Sequence, residues 1–449
     1  MIGRMPPFLR WAYPGLGVKR WLLVAIAGIL MLVNGIDRYL IAIGFDLHAN
    51  EVVDSFVDDY FSPGYLAWIF IILGIVLIFF GIRQWLRAIL HASALGGANE
   101  SILDSLYEMR LRNGYKVVAI GGGTGLSTLL RGLKRKTTNL TAVVTVSDDG
   151  GSSGRLQKEL GVLPPGDVRN CLVALADDEA MVTDLFRYRF HEGEGLTGHS
   201  FGNLFLAAMT GITGNFDRAI KESSRVLNIK GRVLPSTLGI VRLCARLADG
   251  SVVEGETTIS KSGQPIKQVF FDPSYAAPLG EVITAIREAD AIVLGPGSLY
   301  TSILPNFLVD RIAREVAASA AVKMYVCNVM TQPGETDNMT AADHVQALLD
   351  NAGSRVCDYV IVNDRPPSKL LEAYAEEGQV PVHPDVDRIR TMGLTPIHAD
   401  VISETVTVRH DPEKLAQVVL GAIDRSIAQR ASYMKPAEVY ESRAQSQSV

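Results

Sequence analysis

The sequence predicts an α/β protein in which a parallel sheet is covered by helices on both faces, preceded by a transmembrane hairpin of two helices. Three observations predict it. Beyond residue 114, short β-branched runs alternate with stretches of helical period. Each run ends in a glycine-rich or polar loop, as the strands of a buried parallel sheet do. The apolar excess behind a mean hydropathy of +0.18 is gathered before residue 83 instead of being spread along the chain.

The hairpin comes first. Residues 64–82 (GYLAWIFIILGIVLIFFGI) carry no charge, and at about 1.5 Å of rise per residue they cross a hydrocarbon core of about 30 Å. The earlier run, 21–36 (WLLVAIAGILMLVNGI), is somewhat shorter and stops at Asp37 and Arg38. It spans if those charges sit at the interface. A cleavable signal peptide is the rival reading, but no small-x-small site follows the apolar core and a second span comes soon after. Arg4, Arg10, Lys19 and Arg20 precede the first span, and Arg83 and Arg87 follow the second. The loop 46–60 carries Glu51, Asp54, Asp58 and Asp59 with no Lys or Arg. The positive-inside rule therefore places both termini in the cytoplasm, with the chain held in the inner membrane. Residues 1–82 are the expected hairpin and 83–114 a juxtamembrane helix and linker broken at Gly96-Gly97.

Residues 115–435 form the expected α/β domain. Its candidate strands are 116–120 (KVVAI), 141–146 (TAVVTV), 291–294 (AIVL), 324–329 (MYVCNV) and 359–362 (YVIV). Between the second and third lies a long excursion, helical over 155–225 and built of short strands and turns over 238–267. The polar end, 436–449, is expected to be disordered. With 48% hydrophobic and 20% charged residues, a disordered chain is excluded. Lys+Arg 43 against Asp+Glu 48 leaves no polycation for non-specific nucleic-acid binding. Cys171, Cys244, Cys327 and Cys357 follow the spans without metal-ligand spacing. They are expected to be reduced, buried and apolar in role.

Ligands of open parallel sheets bind beyond the carboxyl ends of the strands, so the chemistry placed there matters most. The first strand runs into Gly121, Gly122, Gly123, Thr124 and Gly125, a turn that opens a helix. Its glycines permit positive φ and close backbone approach, and main-chain N–H groups there could hold a phosphate. No Gly-Lys-Ser/Thr ends it, so it is not a Walker loop, and it departs from the dinucleotide fingerprint. A tight turn without a ligand is the plain alternative.

The second strand ends in Asp148 and Asp149 within a Gly/Ser-rich loop trailed by Arg155. The pair could hold a ribose hydroxyl or Mg²⁺, or act as turn carboxylates. In the loop 163–170, Asp167 reads as a helix N-cap, while Arg169 and Asn170 could reach a phosphate or sugar. His199, in GHSFGN, is a ligand contact, a proton carrier or a structural histidine; Asn203 ends the same motif. Gly295, Gly297 and Ser298 follow the third strand and again place small residues at a helix start.

Six ordered motifs, GGGTGLS (121–127), TVSDDGGSSGRL (145–156), LPPGDVRNCLVAL (163–175), GHSFGNLFLAAM (198–209), GPGSLYTSILPN (295–306) and NVMTQPGET (328–336), together resemble the gluconeogenesis factor family. These are the YvcK-like proteins, in the wider group that includes CofD, the 2-phospho-L-lactate transferase. The resemblance covers nearly all of 115–430 and says nothing about 1–113, since members of the family are typically soluble. It implies a Rossmann-like three-layer domain with a helical insertion, and a nucleotide-linked ligand such as UDP-N-acetylglucosamine. It also implies a regulator of cell shape and wall synthesis on gluconeogenic carbon, without a settled reaction. Wall-synthesis proteins or further copies of the chain are the protein partners it would bring.

On this reading the pyrophosphate lies against 121–125 and 295–298. Asp148 and Asp149 hold a hydroxyl or a metal, and Arg169 and Asn203 are polar partners. Tyr374 and Arg409 are candidates for base stacking and phosphate pairing, with an exposed Tyr and a solvated Arg as the alternatives. A CofD-like transferase using Mg²⁺ is the second reading. A nicotinamide oxidoreductase lacks its glycine spacing, and fold analogy alone does not restore it.

Overall fold

The computed structural model describes residues 18–43, 63–95, 108–177, 179–367, 371–404 and 407–433. The loop 46–60, the Gly96-Gly97 break and the tail 436–449 lie outside the described residues. The chain divides into two compact units, Met1–Asn113 and Gly114–Val449.

In the first unit the helices Val18–Ala42 and Pro63–Leu95 run antiparallel, with Trp21 edge-on to Phe80 and Tyr39 edge-on to Trp68. Glycine decides how they meet. Gly28 and Gly35 on one helix, and Gly74 and Gly81 on the other, are two turns apart and face the partner. A Cβ on any of the four would stand 2.8 Å from a backbone atom of the facing helix. Large side chains point outward instead: Leu23, Leu30 and Phe79 are 65%, 66% and 70% exposed. Small residues thus line the contact between the helices and large apolar ones point away from it. Trp21–Leu40 and Tyr65–Arg87 are long and apolar enough to cross a membrane.

Two boundaries differ from expectation. The first helix does not stop at Asp37 and Arg38 but runs through them. Arg38 is buried, donating from Nε to Asn34 Oδ1 (3.2 Å) and lying 5.9 Å from the centroid of the Phe70 ring. The second helix continues unbroken past 82 to Leu95, so residues 83–95 prolong the apolar helix without forming a separate one.

The second unit is built in chain order from β1 (Val117–Gly121), β2 (Leu140–Val144) and β3 (Arg232–Pro235), then β4 (Arg242–Leu247), β5 (Val252–Glu254) and β6 (Ile266–Asp272). There follow β7 (Ala291–Leu294), β8 (Val322–Val326), β9 (Tyr359–Asn363), β10 (Thr395–Ala399), and the hairpin β11 (Ile402–Glu404) and β12 (Val408–His410). Seven of these form one parallel sheet in the order β10-β9-β8-β7-β1-β2-β3. β4, β5 and β6 form a separate antiparallel sheet.

Alternate strand residues feed two cores, which makes the three layers. Val118, Ile120, Ile292 and Leu294 face one core with Val282, Ile286, Val316 and Val345 from helices. Val117, Ala119, Ala291 and Val293 face the other with Leu126, Leu130, Leu172 and Val419. The excursion 155–225 is helical as expected, with helices Gly151–Leu160, Gly166–Leu175, Glu179–Arg187, Phe201–Thr213 and Phe216–Val226. β3 and β10 were not expected. Each contains a proline, Pro235 and Pro396, and each sits at a sheet edge, where a missing ladder donor is tolerated. All four cysteines are free and buried.

The strand order reverses between β1 and β7, and that switch point is where an open parallel sheet offers its crevice. The helix that follows β1, Gly123–Leu133, is seated against the C-terminal helix Pro412–Tyr433 through Gly132, where a Cβ would collide with the Pro412 carbonyl. Gly132→Ala should therefore destabilise the unit by about 1–3 kcal/mol through overpacking. Chemical denaturation of the two proteins measures it, and an unchanged midpoint would refute this account of the contact.

Candidate functional site

The loops that leave β1 and β7 lie against each other at the switch point. Gly295 N–H continues the sheet ladder by donating to Ile120 O (2.8 Å). Gly123, Gly295 and Gly297 take φ of +64°, +77° and +155°, conformations that side-chain-bearing residues rarely adopt. A Cβ on Gly125 would lie 2.7 Å from the Pro296 carbonyl carbon and 2.9 Å from Gly297 Cα, so the two backbones touch only because Gly125 is glycine.

Side chains from deeper in the fold hold this contact. Asn306 Nδ2 donates to Gly121 O (3.2 Å). Asn328 accepts from Gly297 N–H (3.2 Å) and donates to Gly297 O (2.9 Å), and Gln332 Nε2 donates to Ser298 Oγ (2.7 Å). After Ser298 the chain makes a single π-helical turn, Leu299–Ile303, a feature frequent at functional sites. The helix Gly123–Leu133 starts without a side-chain cap from its N-cap residue, Gly122. The expected Gly121, Gly122, Gly123, Thr124, Gly125, Gly295, Gly297 and Ser298 thus meet in one place.

The acidic pair after β2 is already engaged by its own loops. Asp148 Oδ1 accepts from Gly150 N–H (2.9 Å). Asp149 Oδ1 accepts from the N–H and hydroxyl of Thr257 (both 3.1 Å), clasping the short helix Glu256–Ile259. That helix is held from the other side by Glu335, whose Oε1 accepts from Ser260 Oγ (2.8 Å) and Thr301 Oγ1 (3.3 Å). Among the described residues no group of three His, Cys, Asp or Glu is arranged to hold a metal ion.

Three carboxyls that sequence reading did not single out as ligands gather here. Asp167 was expected to be a helix N-cap, but the N-cap is Pro165 and Asp167 lies within the first turn, its carboxyl over Gly122. The residue is only partly covered, yet its carboxyl lies deep among protein atoms; burial and then the charge of Asp148 push its pKa up to about 7, against the Gly123 N–H and Arg169. Glu256 is pushed up to about 9, by burial and then by Asp167, Asp148, Glu335 and Asp149. Glu335 is raised by burial in spite of its hydrogen bonds. One oxygen each of Glu256 and Glu335 is buried without a partner. Asp167 and Glu335 lie in the LPPGDVRN and TQPGET motifs, whereas Glu256 sits in a segment that reads as strand and turn.

Arg169, expected to reach a ligand, also braces the fold. Its Nη1 donates to Ser200 Oγ (2.7 Å) and Asn203 Oδ1 (2.9 Å), and its Nη2 to Asn170 Oδ1 (2.9 Å). Asn203 in turn donates to Ser153 Oγ (3.4 Å). His199 is buried, paired through Nδ1 with Ser152 Oγ (2.9 Å), and burial, then Arg155, lowers its pKa. Asn170, His199 and Asn203 therefore share a network that ties the β2 loop to the helical excursion.

Tyr374 packs against Val329, Met330, Ile402 and Val408, and its hydroxyl accepts from Val408 N–H (3.0 Å). Arg409, the next residue, is exposed on β12. The two lie at one spot, and it is joined to the glycine loops through β8's exit: Asn328 touches Gly297, and Val329 and Met330 touch Tyr374.

The family model described as 2-phospho-L-lactate transferase CofD matches residues 117–402. A relative from Nostoc sp., named as a gluconeogenesis factor, is 48% identical over 93% of this chain and 93% of its own. The gluconeogenesis factor of Bacillus subtilis is 52% identical over 68% of this chain and 97% of its own. A crystal structure of a UPF0052 family member from Bacillus halodurans superposes with a TM-score of 0.66 at 49% identity, covering 68% of this chain and 99% of that one. The Nostoc match leaves too few residues unmatched to omit the first unit, so the likeness is wider than the motifs suggested.

The raised carboxyls fix how stability responds to pH. A carboxyl whose folded pKa lies above its unfolded value holds a proton the unfolded chain has already lost, so stability is full at low pH and declines as pH rises toward the folded pKa. For Glu256 the window runs from its ordinary 4.5 to about 9. Glu256→Gln should match the wild type at pH 5 and exceed it at pH 8, by about 1 kcal/mol or more. Thermal melts at the two pH values decide this; equal gains at both would contradict it.

Proposed function

The chain belongs to the CofD family and, within it, to the gluconeogenesis factors, and we propose that it binds a UDP-sugar such as UDP-N-acetylglucosamine at the β1/β7 switch point. The single observation that carries the reading is the contact of two glycine loops across that point, at the start of a helix whose own N-cap residue, Gly122, offers no side-chain cap. The pyrophosphate lies over Gly121–Gly125 and Gly295–Ser298, and Asp148 receives a hydroxyl. Tyr374 and Arg409 serve the far end of the ligand. Arg169 and Asn203 shape the wall without touching it, and Asp149 holds the helix Glu256–Ile259 in place.

The role that follows is regulatory: a sensor of nucleotide-sugar supply linked to gluconeogenic growth, cell shape and wall synthesis. The hairpin tethers it to the inner membrane with both termini and the second unit in the cytoplasm. The close helix contact at Gly28, Gly35, Gly74 and Gly81, with large apolar side chains on the outside, supports the tether, and the charges around the spans support the orientation. The name of the matching family favours a second reading, a transferase acting on a nucleotide-activated substrate. Mg²⁺-dependent turnover would single it out.

Calorimetric titration of the full chain in detergent with UDP-N-acetylglucosamine should show saturable binding. Arg409→Ala should weaken it by about tenfold, in keeping with the loss of a charge-assisted bond, and Gly125→Ala should abolish it by parting the loops. No heat of binding in the wild type would defeat the proposal. In cells, the full chain should sediment with membranes and a chain lacking residues 1–113 should not; an unchanged distribution would remove the tether.

A further inference from the structure

The glycine loop after β1 is not bare. The carboxylate of Asp167, carried by the helix Gly166–Leu175, lies so close over Gly122 that a Cβ there would collide with it. Its Oδ1 is 3.9 Å from where a Gly123 Cβ would stand, and it faces the Gly123 N–H, the first of the helix. Gly122 itself offers that helix no side-chain cap. Asp167 therefore supplies, from another element, the negative group that a helix N-terminus attracts.

We infer that Asp167 is a built-in competitor for the phosphate cradle: its carboxylate holds the position over Gly122 and Gly123 that a ligand phosphate would take, so an anion binds only by displacing or neutralising it. This rests on the reading that the glycine loop receives a phosphate, and it adds a threshold to that site. The groups facing Asp167 make the threshold steep in one direction. Asp148, from the loop after β2, and Glu256, from the short helix above, add negative charge. Arg169, on Asp167's own helix, is the cation that opposes them, and it is spread over Ser200, Asn203 and Asn170. Cys171, one turn on, is a buried thiol whose pKa is pushed up by burial and then by Asp167, so it adds no charge. A phosphate over Gly122 and Gly123 thus comes up against the carboxyls of Asp167 and its neighbours, while Arg169 is already shared among three partners. Weakly charged or singly ionised ligands pass more easily than densely charged ones. A diester-like pyrophosphate bearing a sugar carries less charge per phosphorus than free pyrophosphate does, and the competitor would discriminate between them.

The experiment measures pyrophosphate and UDP-N-acetylglucosamine binding to the full chain in detergent, for the wild type and for Asp167→Asn, which keeps the shape and removes the charge. Pyrophosphate affinity should rise by about tenfold or more in the variant, with a smaller gain for the sugar nucleotide. Should Asp167→Asn fail to keep the wild-type melting temperature, Asp167→Ala gives the same reading, since it too removes the charge over the cradle. Unchanged or weaker pyrophosphate binding in the folded variant overturns the inference, because it would make the carboxylate neutral toward the ligand or a helper. A gain for pyrophosphate with no response to UDP-N-acetylglucosamine in any protein would leave the competitor standing and defeat the nucleotide-sugar reading instead.

Discussion

One backbone-to-backbone contact governs the second unit: Gly125 on the peptide between Pro296 and Gly297. β1 and β7 are neighbouring parallel strands, about 4.8 Å apart, so their exit loops emerge side by side and would be forced apart by any side chain between them. Glycine on both sides lets them touch. Asn306 and Asn328 then fasten each loop to structure beneath it, and Gly132 seats the far end of the same helix on the C-terminal helix. The crevice is rigid because its floor is main chain held from several directions.

Beside that contact the molecule gathers carboxyl groups whose burial favours the protonated form. Asp148, Asp167, Glu256 and Glu335 come from four separate segments, and burial raises the pKa of the last three. Burial of ionisable groups with unpartnered oxygens opposes stability. Perturbed groups gathered at a switch point are what the proposed ligand site rests on beside the glycine contact. The short helix Glu256–Ile259 is central here, since Asp149 and Glu335 clasp it from opposite sides while Glu256 reaches inward.

Much of this could be read from the residues alone, and the exceptions have physical causes. The runs at 116–120, 141–146, 291–294, 324–329 and 359–362 became β1, β2, β7, β8 and β9, with ends shifted by up to three residues, because continuous apolar strands need both faces covered. The edge strands β3 and β10 were missed, since Pro235 and Pro396 and polar neighbours erase the apolar run. Arg169 looked like a phosphate partner because it follows a loop motif, but a guanidinium has several donors, and its neighbours across the fold took them. Asp167 looked like a cap because caps are local, whereas its true neighbour, Gly122, is far away in sequence.

The sequence by itself determined the parallel sheet, the glycine loops and the apolar hairpin, all of which follow from short-range periodicity and from the backbone freedom of glycine. Only the tertiary structure decided which polar groups share a space. That choice depends on loops meeting at the β1/β7 reversal, and no local pattern encodes the distance between Asp167 and Gly122 or between Glu256 and Glu335. Charges interact through space, and their energies in a desolvated crevice are set by neighbours that the chain order does not name.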